Sequence, residues 1–206
     1  MSLDVLDWRR TVFELYRQVR AGPDPERAWQ LWRDGRDELV GRHPASPLPP
    51  TARERFTGLR YAPYDPAKRY ELLPVEPAEP ARIEVPTATD GVVPFERVGQ
   101  LRLPELGTLD VWWLDSYGGG IFVPLRDASG RHPDLGQRSY GGGRYLIDTV
   151  KGADLGGTGD RLTVDLNFAY NPSCAYDAAW QCPLAPPGNV LTAPVYAGEL
   201  TWHAPD

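Results

Sequence analysis

From Tyr61 to its end, proline, glycine and aspartate interrupt this chain every few residues, and that punctuation limits the fold more than any other feature. Proline lacks an amide donor and clashes inside a helix, so a bundle of long helices is excluded there. With 21 glycines and 22 prolines among 206 residues, the composition points to short strands joined by tight turns. The runs left between the breaks are 69–73, 82–85, 92–98, 100–103, 109–114, 121–125, 144–150, 162–168 and 190–200. Several alternate as half-buried strands do: Leu101 and Leu103 against Gln100 and Arg102, or Ile121, Val123 and Leu125 on one face.

The first 60 residues read differently. Val5, Trp8, Val12, Leu15 and Val19 recur at helical spacing, which predicts a helix over 5–20 ended by Gly22-Pro23. Asp24 then has the side chain of an N-cap, with Pro25 and Glu26 in the first turn of a second helix running to about Val40 and stopping at Gly41. Its Trp29, Trp32, Leu39 and Val40 need a partner surface. A stiff connector, Pro44 to Pro50, and a short helix over 51–56 follow. The expected architecture is mainly β, an antiparallel barrel-like or sandwich domain over 59–206, with an N-terminal two-helix arm over 1–58 packed on it.

Charge narrows the partners. Net charge is −6, and residues 61–206 hold 11 basic against 19 acidic side chains. An acidic main domain repels a phosphate backbone, so nucleic acid is not an expected partner. No apolar run approaches the ~20 residues of a membrane helix, and the start lacks a basic segment followed by an apolar one. A cytoplasmic protein with no membrane partner is the expectation. The sequence names no oligomeric state.

Chemistry-bearing residues concentrate in two places. Asp165-Leu166-Asn167-Phe168-Ala169-Tyr170-Asn171-Pro172-Ser173-Cys174 gathers a carboxylate, two carboxamides, a phenol and a thiol. If the strand over 162–168 alternates, Leu162, Val164 and Leu166 face one way and Thr163, Asp165 and Asn167 the other. Asn and Asp are depleted in strands, so two on one face either line a cleft or tie down the neighbouring loops. The second place is Tyr140-Gly141-Gly142-Gly143-Arg144-Tyr145, where three glycines lead into a guanidinium flanked by rings suited to holding an anion. Arg126 ends another strand and offers a second fork or a local ion pair. A Walker-type phosphate loop is absent, because this glycine run precedes a strand and no Gly-Lys-Ser/Thr occurs.

His43, His132 and His203 are scattered, and neither a Gly-x-Ser-x-Gly elbow nor a His-Glu-x-x-His helix is present. Asp165 or Glu199 is therefore the candidate general acid or base. Cys174 and Cys182 flank an aromatic turn and read as free thiols, a loop-closing disulfide or half of a metal site. No third ligand lies nearby, so no metal site is expected.

At Arg126-Asp127, Tyr140-Gly141-Gly142-Gly143-Arg144-Tyr145-Leu146, Asp165 through Tyr176, Cys182-Pro183-Leu184, Pro186-Pro187-Gly188-Asn189 and Ala197-Gly198-Glu199, the chain resembles the bacterial domain of unknown function 1684. The likeness extends to the Trp-rich helices, Ser46-Pro47-Leu48 and Phe56-Thr57-Gly58-Leu59. Leu125, Leu166 and Gly188 depart from residues the family often carries. The resemblance implies a single domain that includes the helical arm, and it carries no activity. Members with export signals keep the Cys174–Cys182 disulfide open as one reading.

The function expected from these residues is binding of a small polar or anionic molecule in a β-domain cleft. Arg126 and Arg144 would take the anion, Asp165, Asn167 and Asn171 would orient it, and Tyr140, Tyr145 and Tyr170 would form walls. Acid/base catalysis by a carboxylate is an extension of that reading. Two alternatives come from other classes: a flavin-binding split barrel, by fold analogy, and a non-catalytic interaction module.

Overall fold

The computed structural model describes residues 3–76, 79–87 and 91–203. Helix α1 (Leu3–Ala21) buries Leu15, Tyr16 and Val19 along one stripe. Helix α2 (Pro25–Arg42) starts as its sequence predicts: the Asp24 carboxylate accepts from the amides of Glu26 and Arg27 at 3.0 and 3.2 Å. Its end differs. The helix runs through Gly41, whose missing side chain admits Phe56; a Cβ there would lie 2.6 Å from the Phe56 ring. Gly41 is thus a close-packing position within the helix, and His43 caps it instead. A single turn, α3 (Pro50–Arg53), follows the proline connector.

Among the described residues, eight strands form two antiparallel sheets: β1 (Arg69–Leu72), β2 (Arg82–Thr87), β3 (Gly91–Leu103), β4 (Gly107–Leu114), β5 (Ile121–Leu125), β6 (Arg144–Asp148), β7 (Gly157–Thr158) and β8 (Arg161–Asp165). One sheet has the order β1-β8-β7, the other the meander β2-β3-β4-β5-β6. Neither sheet closes on itself, so of the two expected forms, barrel-like or sandwich, the β part takes the sandwich-like one. Leu101, Leu103, Leu109, Val111, Val123, Leu125, Leu146, Ile147, Val164 and Leu166 fill the core shared by both sheets. A second, aromatic cluster of Phe95, Trp112, Phe122 and Tyr145 covers part of the larger sheet. Strands β5 and β6 are covered on both faces for that reason.

The runs 92–98 and 100–103 form one strand rather than two. The β3–β4 register slips between Arg97 and Gly99, a bulge that bends β3 and lets a long strand serve both ends of the sheet. The run 162–168 breaks earlier than expected: β8 ends at Asp165, whose carboxylate caps a 3₁₀ turn over Leu166–Phe168 by accepting from the Asn167 amide. Asp165 and Asn167 therefore do not share a strand face.

The run 190–200 joins no sheet; it bridges Val190 with Arg126 and Glu199 with Tyr61, and otherwise meets its neighbours through scattered backbone hydrogen bonds. Its unpaired carbonyls have another acceptor role. Arg144 donates to the carbonyls of Val195 (3.2 Å), Ala197 and Glu199 (3.3 Å), at every second residue, as a neighbouring strand would. Asp127 receives the amide of Val195 at 2.8 Å and the Arg144 guanidinium at 2.8 Å. This buried ion pair takes the place of a strand edge.

The arm packs where β8 gives way to the turn. Trp29 donates its indole N–H to the Asn167 carbonyl at 2.9 Å, and Trp32 lies against Phe168 with ring centroids 5.0 Å apart. Among the described residues no helix is long and apolar enough to cross a membrane.

Candidate functional site

Helix α2 carries Trp29, Trp32, Arg33 and Arg36 on one face, because residues three and four apart align. Arg36 is held between two rings, 5.3 Å from the Trp32 centroid and 4.8 Å from that of Tyr170. Its Nη2 donates to Glu199 Oε2 at 2.7 Å and to the Tyr176 hydroxyl oxygen at 3.1 Å. Glu199 has no solvent exposure. Besides Arg36 it receives the Tyr176 hydroxyl in a short hydrogen bond, the Asn171 amide at 3.1 Å and the Asn171 carboxamide at 2.9 Å. A charge buried this deeply is tolerated because both oxygens are so fully satisfied.

Gly198 makes the approach possible. Its φ of +77° is a conformation side chains avoid, and a Cβ there would sit 2.7 Å from the Ala169 carbonyl. The next residue can then donate its amide to that same carbonyl at 2.8 Å, dropping Glu199 into the interior.

Beside this hub lies a cavity of about 100 Å³ between α1 and α2 on one side and β6 and the 170–182 segment on the other. Its polar lining includes Arg36, Lys151, Asn171 and Ser173, and its walls include Tyr16, Tyr145, Tyr170 and Tyr176. Two buried polar atoms of lining residues, Arg36 Nε and Asn171 Oδ1, make no hydrogen bond. Burial raises Tyr145, Tyr170 and Tyr176 well above the usual phenol range, so they stand as neutral hydroxyls. Burial alone would lower the Arg36 guanidinium, but Glu199 and the neighbouring tyrosines push it well above its ordinary value. Among the described residues no group of three or more His, Cys, Asp or Glu side chains is placed to hold a metal.

The residues singled out in the sequence do not gather at one place. Tyr145, Tyr170 and Asn171 line the cavity, and Glu199 stands behind it. Arg144 is elsewhere, its guanidinium 1% exposed and engaged by Asp127 and the 195–199 carbonyls, with no room for an anion. Arg126 is exposed at a separate edge, bridging to Val190. Asp165 and Asn167 staple a loop: Asn167 exchanges hydrogen bonds with the backbone of Asp65 at 2.9 and 2.8 Å, while Asp165 holds Asn167 and Arg69. Burial raises the Asp165 carboxyl against those hydrogen bonds. Tyr140 reaches the Cys174 carbonyl at 3.4 Å and is pushed up to about 12 by burial and that cysteine.

Arg36, Lys151 and Tyr176 escaped the sequence reading. The available signal was the stripe of tryptophans and arginines on α2, too basic for a face that must be buried. Its carboxylate partner lies 163 residues away along the chain.

Residues 54–200 match the family described as protein of unknown function, DUF1684. No curated protein matches the chain. An uncharacterised protein of Haloarcula marismortui, solved in solution by NMR, is 35% identical, with 84% of this chain and 91% of that one covered and a TM-score of 0.55. The match takes in both Asn171 and Glu199, and the chain belongs to the DUF1684 family.

Proposed function

We propose that this protein binds a small polar or anionic molecule in the cavity between the helical arm and the 170–182 segment. Arg36 and Lys151 supply positive charge, Asn171 accepts a hydrogen bond, and Tyr145 and Tyr170 enclose the guest. The observation that carries the reading is the pair of buried, unpartnered atoms, Arg36 Nε and Asn171 Oδ1, on residues of one cavity. Buried polar groups are nearly always paired, so a donor and an acceptor left over together call for a small polar guest that meets at least one of them. Arg36 retains a donor while its Nη2 is spent on Glu199, and the half-exposed Lys151 adds a second cation.

Glu199 then serves as a positioning residue that orients Arg36 and Asn171. Any acid/base chemistry would pass through Tyr176, which lines the cavity and donates to Glu199. Asp165 is too far removed to share in it, being held in the Asp65 and Arg69 contacts. The cavity is small beside the ~300 Å³ and more of drug-sized sites. That favours a guest of a few heavy atoms over a flavin.

Native mass spectrometry of freshly purified protein tests the reading, followed by thermal unfolding with acetate and inorganic phosphate as probes. A retained small molecule, or stabilisation by either probe that Lys151→Glu abolishes, is the expected result. Protein that retains only water and unfolds at the same temperature with and without both anions contradicts it.

A further inference from the structure

Helix α1 has a second face. The stripe that holds it to the rest of the molecule contains Leu15, Tyr16 and Val19. Away from that stripe Leu3, Leu6 and Phe13 are exposed to solvent, by 82, 44 and 47%. At about 100° per residue these three share one arc, roughly a third of the helix circumference, and Arg9, Arg10, Arg17 and Arg20 fall on the same arc. The acidic residues of α1 lie beyond one edge of it. Two of them are engaged there, Asp7 with His43 at 3.2 Å and Glu14 with Arg17 at 2.6 Å. Arg20 reaches the Asp154 carbonyl, Arg10 is exposed and Arg9 is half-buried. Phe13 extends the face, because its ring covers Gly152, where a Cβ would meet it at 3.0 Å, beside the half-exposed Lys151.

We propose that this face of α1 docks on an anionic membrane surface, with Leu3, Leu6 and Phe13 entering the acyl boundary and Arg9 and Arg10 reaching lipid phosphates. Crossing a membrane takes a long apolar helix, whereas resting on one takes only an apolar row flanked by cations. The expectation of no membrane partner rests on spanning segments and does not bear on a helix in the interface plane. Arginine suits the position: its apolar stem packs beside the leucines while the guanidinium rises to the headgroups. A protein partner would call for a charge-depleted apolar core with a polar rim. Here the arginines stand within the apolar row.

Charge complementarity is local to the arm. The chain carries −6 overall, and residues 61–206 hold 11 basic against 19 acidic side chains. An anionic surface therefore repels the molecule as a whole and attracts it through this face. The inference stands whether or not the cavity holds a guest.

Co-sedimentation of the full chain with vesicles tests it, phosphatidylcholine alone against phosphatidylcholine with about one third phosphatidylglycerol. The expected result is binding to the anionic vesicles only, weakened by salt. Arg9→Gln and Arg10→Gln should each weaken it about fivefold. Leu3→Ser with Leu6→Ser should weaken it about tenfold or more, with far-ultraviolet dichroism unchanged because both side chains are already exposed. No binding to either vesicle, equal binding to the neutral one, or loss with the arginine variants but not the leucine variant would each overturn the proposal. So would concentration-dependent self-association that the leucine substitutions dissolve, which would make the face an interface between copies of the chain.

Discussion

Arg144 and Arg36 are both largely withdrawn from water, and the fold uses them in opposite ways. Arg144 donates to Asp127 and three carbonyls, so its hydrogen bonds hold a segment that has no strand partner. Arg36 is paired with Glu199 and lines a cavity, which Arg144 does not. Replacing Arg144 by methionine leaves Asp127 buried without its counter-charge and frees the carbonyls, a loss of about 3–5 kcal/mol. Urea unfolding measures it; a change under about 1 kcal/mol would mean that the pair contributes little to holding the 195–199 segment. Local sequence made Arg144 conspicuous through its three glycines, yet its partners lie about fifty residues on and are mainly backbone atoms, which leave no signature in side-chain identity. Tyr145, Tyr170 and Asn171, which line the cavity, stand out in the sequence because aromatic and carboxamide side chains crowd there. Arg36 was not, since nothing in an N-terminal helix announces a carboxylate near the other end of the chain.

At the scale of elements, punctuation by proline and glycine located most strands, and the misses have two causes. The bulge that fuses 92–98 with 100–103 and the unpaired 190–200 segment depend on hydrogen bonds to other parts of the chain, whereas β8 ends early on a local one, from the Asn167 amide to the Asp165 carboxylate. Period-2 hydrophobicity reports burial alternation, and it cannot distinguish a strand paired with another strand from one paired with a guanidinium. Gly198 is the element-scale hinge of the site, because Glu199 enters the interior only through its left-handed backbone. Gly198→Ala adds strain and a clash with the Ala169 carbonyl, which lies 2.7 Å from the new Cβ. The expected cost is about 2 kcal/mol or more, read as a lower urea midpoint at unchanged slope. An unaltered midpoint would show that the segment can relax without lifting Glu199.

Across the whole molecule, arm and β domain share their cores. Trp29 and Trp32 cluster with Ala153 and Phe168, and Val40 and Leu48 with Tyr176, while Arg36 and Glu199 join the same two parts through charge. Tryptophan fluorescence, dominated here by residues on both sides of that boundary, and far-ultraviolet dichroism should therefore report one coincident unfolding transition. Two separated transitions would instead make the arm an independent unit. The shared boundary is also where the cavity forms, which is why a reading of the late strand alone could find three of its residues and not its cations. The most direct measurement is a ¹H–¹⁵N titration of the full chain with acetate and with inorganic phosphate. Shifts confined to the amides of Lys151, Asn171, Ser173 and Cys182 and to the Arg36 side chain are the predicted result. Shifts centred on Arg126 and Arg144, or none with either anion, would contradict it.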